Sequence, residues 1–327
     1  MENKEHVGVI IPYYQTSSGI LSKAIFSILN QVYKGKVNVY VVDDGSPIPA
    51  SSELKNIVIP GNITLNIVRQ ENQGPSAARN KALNLAKNDN CEYIAYLDSD
   101  DEWAPQHLDN AIFALNLGND FYFSNYMQLD ATESVFIKAN ISLEDHTLLD
   151  NSRSIYQYSG DMIEQVLTNP IVNTSTVVYN QSKMSHLHFD EAFLKAREDH
   201  LLWLDIAALK SKFCFGANVE EYCGRGVNIW ASTKWGSDNI LPFLFYDLKF
   251  SKQVLIKYPL TKSQKHFISR KIVKLRYSVF LDIVHRLGHS KKINFKILFA
   301  TFKLDFKALL FLPYYCLKYV FQSNDNV

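Results

Sequence analysis

The sequence predicts an α/β fold in which helices flank a mostly parallel β-sheet, followed by a C-terminal helical extension. Two observations carry this prediction. Over residues 7–97, short apolar runs of strand-like residues alternate with segments of helical periodicity, a pattern typical of βαβ units. From Leu241 onward the composition shifts to Lys, Phe, Leu and Tyr, again with helical periodicity.

The elements of the sheet follow in order along the first hundred residues. Four apolar runs predict buried strands over residues 7–11, 37–42, 63–68 and 91–97. A helix over residues 20–29 has Ser17 and Ser18 as candidate caps, and a second helix over residues 76–87 begins just after Pro75. The sheet is Rossmann-like, but no Gly-x-Gly-x-x-Gly follows any strand, which argues against a dinucleotide ligand.

The pattern between residues 103 and 240 is more mixed. Strands are predicted over residues 121–123 and 174–179, and residues 150–168 are partly helical. Glu198 and Asp199 open a strongly apolar helix, where acidic residues in the first turn are stabilised by the helix dipole.

Composition and charge narrow the class of protein. The 327 residues are 47% hydrophobic and 20% charged, as in an ordinary folded chain with a large core. The four cysteines form no Cys-x-x-Cys pair, the N-terminus shows no signal-peptide pattern, and no apolar run reaches the ~18 residues of a membrane span. These features predict a cytoplasmic protein with reduced cysteines.

Charge is unevenly distributed along the chain. Residues 241–327 carry 16 Lys or Arg and 4 Asp or Glu, whereas residues 1–240 carry 18 and 29. On one ideal helix, five lysines fall within an arc of about 80°, opposite a face of Phe and Leu. This pattern fits a helix lying on an anionic membrane surface, or equally a solvated basic face whose apolar side packs on the protein. The lysines are Lys292, Lys296, Lys303, Lys307 and Lys318.

Polar residues follow three of the predicted strands, at 13–15, 43–44 and 98–101. The carboxyl ends of parallel strands share one edge of a sheet, where open α/β sheets bind ligands. Asp98-Ser99-Asp100 is an Asp-x-Asp motif whose hard oxygen ligands suit Mg²⁺ or Mn²⁺ carrying a phosphate-bearing ligand. A solvated acidic turn is the alternative for any such motif alone, and the convergence of three strand ends favours a site.

Taken together, five segments in this order resemble the glycosyltransferases of family 2, nucleotide-sugar-dependent enzymes of the GT-A fold. The resemblance spans about two thirds of the chain. Gln15 stands where the family usually has Asn, and the Gln-x-x-Arg-Trp motif of processive synthases is absent. Transfer of a single sugar is therefore expected. The segments are 7–15, 41–46, 72–80, 97–105 and 197–204.

The resemblance implies a set of nucleotide-sugar-binding residues. Tyr14 would lie against the base, Asp43 would accept the imide proton of uracil or thymine, and Arg79 would contact the base or the phosphates. The complete implied set is Pro12, Tyr14, Asp43, Asp44, Arg79, Asp98 and Ser99.

It also implies the metal ligands and the base. Asp100 would bind Mn²⁺ or Mg²⁺, with Asp98 and Asp101 as further candidates. The ion would offset charge that grows on the leaving diphosphate. Asp199 would take the proton from the acceptor hydroxyl, and a partly buried carboxylate is expected to have the raised pKa that suits this role.

The function implied is inverting, metal-dependent transfer of one sugar, hexosyl or N-acetylhexosaminyl, from a UDP-sugar. The acceptor would be a glycan or a lipid-linked oligosaccharide in bacterial surface polysaccharide synthesis, at the inner face of the cytoplasmic membrane. No nucleic-acid partner is expected. Two alternatives are a sugar-nucleotide nucleotidyltransferase and a non-catalytic, membrane-associated assembly partner. The predicted domains are 1–240, with a nucleotide-binding half (1–102) and an acceptor-binding half (103–240), and a helical region, 241–327.

Overall fold

The computed structural model describes residues 5–194, 196–226 and 235–324. These residues form two compact units. The first contains residues 5–194 and 198–226, and the second contains residues 196–197 and 235–324. The predicted domains, 1–240 and 241–327, remain a prediction.

The first unit is built on a ten-stranded sheet. Its strands are β1 His6–Tyr13, β2 Lys36–Asp43, β3 Ile63–Arg69, β4 Tyr93–Tyr96, β5 Glu102–Trp103, β6 Phe121–Met127, β7 Thr147–Asp150, β8 Ile155–Gln157, β9 Val178–Asn180 and β10 Phe213–Tyr222. They lie in the order β3-β2-β1-β4-β9-β6-β10-β8-β7, with β5 paired to β10. Strands β3, β2, β1 and β4 are mutually parallel, so the predicted α/β class and parallel sheet are confirmed.

Eight α-helices accompany this sheet in the described part of the first unit. They are α1 Ile20–Leu29, α2 Ala50–Glu53, α3 Pro75–Asn88, α4 His107–Asn116, α5 Val135–Lys138, α6 Met162–Thr168, α7 Gln181–Met184 and α8 Glu198–Ala208. Strands β1 and β2 are buried along nearly their whole length because α/β crossovers place helices over the sheet. The described second unit is helical, with α9 Ile240–Lys257, α10 Lys262–Gly288, α11 Phe295–Leu304, α12 Phe306–Leu310 and α13 Leu312–Asn324.

The predicted cap of α1 is wrong. Gly19, not Ser17 or Ser18, is the N-cap residue, and it adopts a left-handed conformation with φ of 83°. The carboxylate of Glu53 accepts hydrogen bonds from the amides of Gly19 and Leu21, at 2.9 and 3.0 Å. A side chain distant in sequence therefore satisfies the helix start, which local pattern does not reveal.

The strand predicted over residues 174–179 is only partly correct. Thr174–Thr176 forms a 3₁₀ turn, and β9 begins at Val178. The hydroxyl of Thr176 donates to the carbonyl oxygen of Asn173 at 2.7 Å. Short hydroxyl side chains that bond nearby backbone compete in this way with a strand ladder.

The single C-terminal helix assumed for the lysine arc is also wrong. Three helices occupy residues 295–324, because Asp305 ends α11 and its carboxylate caps α12 through the amide of Lys307. Lys292 precedes α11, so it does not belong to any of these faces. Pro313 lies in the first turn of α13, where proline is tolerated.

No helix in the described ranges is both long enough and apolar enough to traverse a lipid bilayer.

Candidate active site

The ends of β1, β2 and β4 meet at one edge of the sheet, as the sequence predicted. Tyr13 at the end of β1 is the register partner of Asp43 at the end of β2. The amide of Asp44 donates to the carbonyl oxygen of Tyr13 at 2.9 Å, and that of Leu97 to Ile10 at 3.1 Å. The polar residues that follow each strand are therefore brought together.

Asp43 organises the loop after β2. Its carboxylate accepts hydrogen bonds from the amides of Ser46 and Ala50, at 2.8 and 3.0 Å. The guanidinium of Arg69 adds an ion pair at 3.2 Å. Asp43 is buried, and these bonds compensate its carboxylate for the hydration that it loses on burial. Its contact with a nucleobase stays a prediction.

Asp44 has a similar role one residue further on. Its two carboxylate oxygens accept from the backbone amides of Gln73 and Gly74, at 2.9 and 2.8 Å, and from the side-chain amide of Gln70 at 2.8 Å. Gly74 is the N-cap of α3 and has φ of 92°, a conformation that favours glycine. Asp44 thereby fixes the entry of the helix that carries Arg79.

Three residues of the predicted donor site, Pro12, Tyr14 and Ser99, lie with Gln15 where β1 and β4 end. Tyr14 is 39% exposed, which leaves its ring accessible to a ligand, whereas Pro12 is half-buried within β1. The side-chain amide of Gln15 donates to the hydroxyl of Ser99 at 3.1 Å. The residue in which this chain departs from the usual family pattern therefore connects the two strand ends.

Arg79 occupies the centre of the site. Its guanidinium is 2.7 Å from Asp98 and 3.1 Å from Glu198, and only 6% of its side chain is exposed. The ring of Phe189 lies 5.2 Å from the guanidinium carbon. Arg79 on α3 thus joins the Asp-x-Asp motif after β4 to the start of α8. Contact with Glu198 is a role that the sequence did not predict.

The Asp-x-Asp motif forms an electronegative group that is only partly neutralised. The side chain of Asp98 is 31% exposed. Burial and the neighbouring charge of Asp98 raise the pKa of Asp100 to about 6. A divalent cation would relieve this repulsion, and carboxylate oxygens are the ligands that Mn²⁺ and Mg²⁺ prefer. The donor set at Asp98 and Asp100 therefore fits such an ion.

Asp101 is held differently from the other two acids. Its carboxylate accepts from the hydroxyl of Ser175 at 2.5 Å and from the amide of Gly224 at 3.0 Å. Burial, followed by the charge of Glu221, places its pKa well above the usual range. Asp101 thus acts as an anchor within the chain, and its assignment as a further metal ligand stays a prediction.

A glycine-flanked loop covers Asp100. A Cβ atom on Gly224 would lie 1.5 Å from the carbonyl oxygen of Asp100, and one on Gly226 would lie 2.5 Å from its Oδ2. Only glycine permits this approach. The side chain of Arg225 points instead to an exposed ion pair with Asp130 at 2.6 Å. The two glycines are the sequence signal for this loop, but pattern alone does not reveal what it packs against.

A second acidic group lies beside the motif, and the sequence did not predict it. Single ligand atoms of Asp101, Glu221 and Cys223 all lie within 4.8 Å of one another. Burial raises the pKa of Glu221 to about 8, although the side-chain amide of Asn173 donates to its carboxylate at 3.0 Å. Burial likewise raises the pKa of the Cys223 thiol. Within the described residues, these three side chains therefore offer a further set of metal-ligand atoms beside the Asp-x-Asp motif.

Asp199 lies in the first turn of α8 as predicted, but the expected pKa shift is wrong. Burial raises its pKa, yet the neighbouring His200 lowers it more, and the net pKa is below the ordinary value. The backbone amide and the ring Nδ1 of His200 lie 2.7 and 2.8 Å from Oδ1 of Asp199. The charged form is thereby stabilised. Its role as the base stays a prediction.

Glu198 has the raised pKa instead. Burial, followed by the charge of Asp199, raises its pKa to about 7 from the ordinary 4.5, although Arg79 opposes the shift. Between pH 4.5 and about pH 7, the folded protein therefore keeps a proton on Glu198 that the unfolded chain has lost. The contribution of Glu198 to the free energy of unfolding falls as pH rises through this range.

Glu198→Gln removes this titration. The wild type loses this contribution as pH rises and the variant does not. At pH 8 compared with pH 5, we therefore expect the free energy of unfolding of the variant minus that of the wild type to be higher by on the order of 2 kcal/mol, given about 1.4 kcal/mol per pKa unit. Urea unfolding at both pH values measures it. The same difference at pH 5 and pH 8 would contradict the assignment of the raised pKa to Glu198.

Comparisons with known proteins agree with these features. A family model described as "Glycosyl transferase family 2" matches residues 8–167. The match includes every predicted residue of the donor and metal site but not Asp199. The succinoglycan biosynthesis protein ExoW of Rhizobium meliloti is 31% identical over 229 residues, which are 68% of this chain and 70% of that protein.

Two solved structures share the fold. Residues 1–349 of Staphylococcus aureus TarS in complex with UDP-GlcNAc match with a TM-score of 0.56 and 17% identity, over 84% of this chain and 73% of that one. The mannosyltransferase PcManGT from Pyrobaculum calidifontis, in complex with GDP-Man and Mn²⁺, matches with a TM-score of 0.57 and 14% identity, over 95% and 84%.

Proposed function

The chain belongs to glycosyltransferase family 2, and we propose that it is an inverting, metal-dependent enzyme that transfers one sugar from a UDP-sugar to a glycan or lipid-linked saccharide. One observation carries the proposal. Arg79 connects Asp98, in the candidate metal motif, to Glu198, the neighbour of the candidate base. The groups that would bind the donor and those that would activate the acceptor are thus linked by one buried side chain.

The donor would lie along the edge formed by β1, β2 and β4. The exposed ring of Tyr14 offers a face for the uracil, and Asp98 and Asp100 would hold Mn²⁺ or Mg²⁺ against the diphosphate. When bound, the ion would offset charge on the leaving UDP. The UDP-GlcNAc complex of TarS and the Mn²⁺ complex of PcManGT support this assignment of donor and cofactor.

Asp199 would accept the proton of the acceptor hydroxyl as its oxygen attacks the anomeric carbon. The bonds from His200 both end on Oδ1, and we assign Oδ2 to the acceptor. A single displacement with one base inverts the anomeric configuration. Because the pKa of Asp199 is below its usual range, the carboxylate is ionised throughout the neutral pH range. The similarity to ExoW supports an acceptor in surface polysaccharide synthesis.

Calorimetric titration with UDP-, TDP- and GDP-sugars, each with and without Mn²⁺, tests the donor site. We expect a UDP-sugar to bind in the presence of Mn²⁺ and to lose most of its affinity in EDTA. If none of the nucleotide sugars bound with metal dependence, the proposed donor site would be refuted.

We propose further that helices α11–α13 contact an anionic membrane surface at the inner face of the cytoplasmic membrane. Phe295 and Phe299, four residues apart on one face of α11, are each 72% exposed. Lysines are interspersed with these aromatic residues, and the segment from Leu241 onward is strongly basic. Exposed aromatic and basic residues together suit the interface of an anionic bilayer. Further exposed apolar residues are Phe306, Leu310, Tyr314 and Leu317.

Sedimentation with phosphatidylglycerol vesicles measures this contact. Burying a Phe ring in the bilayer contributes about 2 kcal/mol to binding. We therefore expect the double variant Phe295→Ser with Phe299→Ser to bind the vesicles at least tenfold more weakly. Ile256→Ser is the matched control, because Ile256 is even more exposed, at 86%, but lies on α9. Unchanged vesicle binding by the double variant would argue against the membrane contact.

A further inference from the structure

The hydroxyl of Ser175 bonds both the first residue of the Asp-x-Asp motif and the residue that follows the motif. It accepts a hydrogen bond from the backbone amide of Asp98 at 3.0 Å and donates one to the carboxylate of Asp101 at 2.5 Å. Ser175 is fully buried in the 3₁₀ turn that precedes β9. One side chain, 77 residues after Asp98 in the sequence, therefore joins the two ends of the acidic segment.

The pairing of β4 with β9 explains why this hydroxyl lies at the motif. The two strands are antiparallel, with Ala95 opposite Val178. The same register, continued beyond the strands, places Ser175 opposite Asp98. The 3₁₀ turn interrupts the ladder at this point. The amide of Asp98 therefore bonds the side chain of Ser175 instead of a backbone carbonyl group.

The backbone of Ser175 is held separately from its side chain. The indole Nε1 of Trp103 donates to the carbonyl oxygen of Ser175 at 2.6 Å, and the Trp103 ring is buried. A serine hydroxyl has one proton to donate and lone pairs that accept. Its proton is directed to Asp101 and a lone pair to the amide of Asp98, so the hydroxyl has a single orientation.

Asp100, the principal candidate metal ligand, lies between the two residues that Ser175 holds. The amide of Asp101 also donates to the carbonyl oxygen of Asp98 at 3.1 Å, which closes the segment into a tight turn. Binding that must first order its ligands loses affinity to the entropy of ordering. Groups that orient metal ligands without touching the ion commonly change metal affinity by about 10–100-fold. The contacts of Ser175 are of this kind.

We propose that Ser175 is a positioning residue for the metal site, holding Asp98 and Asp101 so that the motif is ordered before the ion and the diphosphate bind. The inference rests on the proposed binding of Mn²⁺ or Mg²⁺ by the motif. It assigns to the 3₁₀ turn before β9 a role in the metal-dependent binding of the nucleotide, and none in the weak binding that remains without metal.

Thr176 provides a matched control in the same turn. It is also fully buried, but its hydroxyl donates to the carbonyl oxygen of Asn173 and not to the motif. Ser175→Ala and Thr176→Val each remove one buried hydroxyl group, so both are expected to lower the free energy of unfolding. Only the first releases the amide of Asp98 and the carboxylate of Asp101.

Calorimetric titration of the full chain with UDP, in Mn²⁺ and in EDTA, tests the inference. The ratio of the two affinities isolates the metal-dependent part of binding. We expect Ser175→Ala to reduce this ratio about tenfold, with the affinity in EDTA unchanged, and Thr176→Val to keep both. An unchanged ratio in Ser175→Ala would refute the inference. An equal fall in both variants would show a general loss of stability instead of positioning.

Amide hydrogen exchange of the wild type tests the order of the motif without any substitution. Because the hydroxyl of Ser175 is its acceptor, the amide of Asp98 is expected to be protected in EDTA and to change little when Mn²⁺ and UDP are added. Protection that appears only with Mn²⁺ and UDP would overturn the inference. A wild type that binds UDP without metal dependence would instead refute the proposed metal site, while exchange in EDTA would still show whether the turn is fixed.

Discussion

Asp199→Asn is expected to lower kcat by about 10²–10⁴, the range that general-base catalysis contributes. The amide is nearly isosteric with the carboxylate but does not accept a proton at neutral pH. Its carbonyl oxygen can still accept the hydrogen bond that the backbone amide of His200 gives to Oδ1. The loss therefore reports on proton acceptance and not on the shape of the site. Release of UDP at saturating donor and acceptor measures it.

The interpretation depends on intact donor binding. We expect the affinity of Asp199→Asn for UDP in the presence of Mn²⁺ to match that of the wild type, since the candidate metal ligands are Asp98 and Asp100. Asp205→Asn, on the same helix but two turns from its start, is the control and should keep its turnover. Unchanged turnover in Asp199→Asn would show that another group is the base.

The pH profile offers an independent check on Asp199. Because its pKa lies below the usual range, no loss of activity through protonation of this residue is expected between pH 5 and pH 8. Burial alone would raise the pKa of a carboxylate, and this was the basis of the prediction from sequence. The deciding factor is the orientation of the adjacent His200 ring, which hydrogen-bonds Asp199. Adjacency in sequence does not determine that orientation.

The parts of the fold that sequence predicted well are those governed by local pattern. Apolar runs of four to eight residues located β1, β2, β3 and β4, and the helical periodicity of residues 20–29 located α1. Parallel pairing then required the polar strand ends to share one edge. The position of Tyr14, Asp43 and Asp98 at that edge was therefore predictable before any contact was known.

The parts that were missed depend on contacts between distant residues. Glu53 caps α1 from 32 residues away, and the amide of Gly224 binds Asp101 from 123 residues away. Neither partner has a local signal, because a carboxylate or a glycine suits many positions. In the C-terminal region, the helical periodicity was evaluated as if residues 292–318 formed one helix. It therefore did not reveal the boundary at Asp305, which ends α11 and caps α12. Capping depends on one side chain and one amide, which a periodicity over many residues does not resolve.

Asp100→Asn is expected to remove most of the metal-dependent donor affinity, raising the Kd for a UDP-sugar in Mn²⁺ by about 10²–10³. An amide oxygen is a weaker ligand than a carboxylate and does not offset the charge of the ion. The variant should retain the weak binding that the wild type shows in EDTA. The asparagine side chain is nearly the same size as that of aspartate, so it fits beneath Gly226 and the covering loop is expected to keep its position.

The wild type should show a matching dependence on pH. Since the pKa of Asp100 is raised to about 6, a proton must leave before the ion binds below that pH, and Mn²⁺-dependent affinity should weaken as pH falls from 7 to 5.

Asp130→Asn is the matched control for Asp100→Asn, because Asp130 is an exposed acid whose ion-pair partner, Arg225, lies in the covering loop. Equal losses in both variants would point to loop disruption, and undiminished Mn²⁺ dependence in Asp100→Asn would assign the ion to other carboxylates. A loss confined to Asp100→Asn would place the ion at the Asp-x-Asp motif, where the accumulated negative charge favours it.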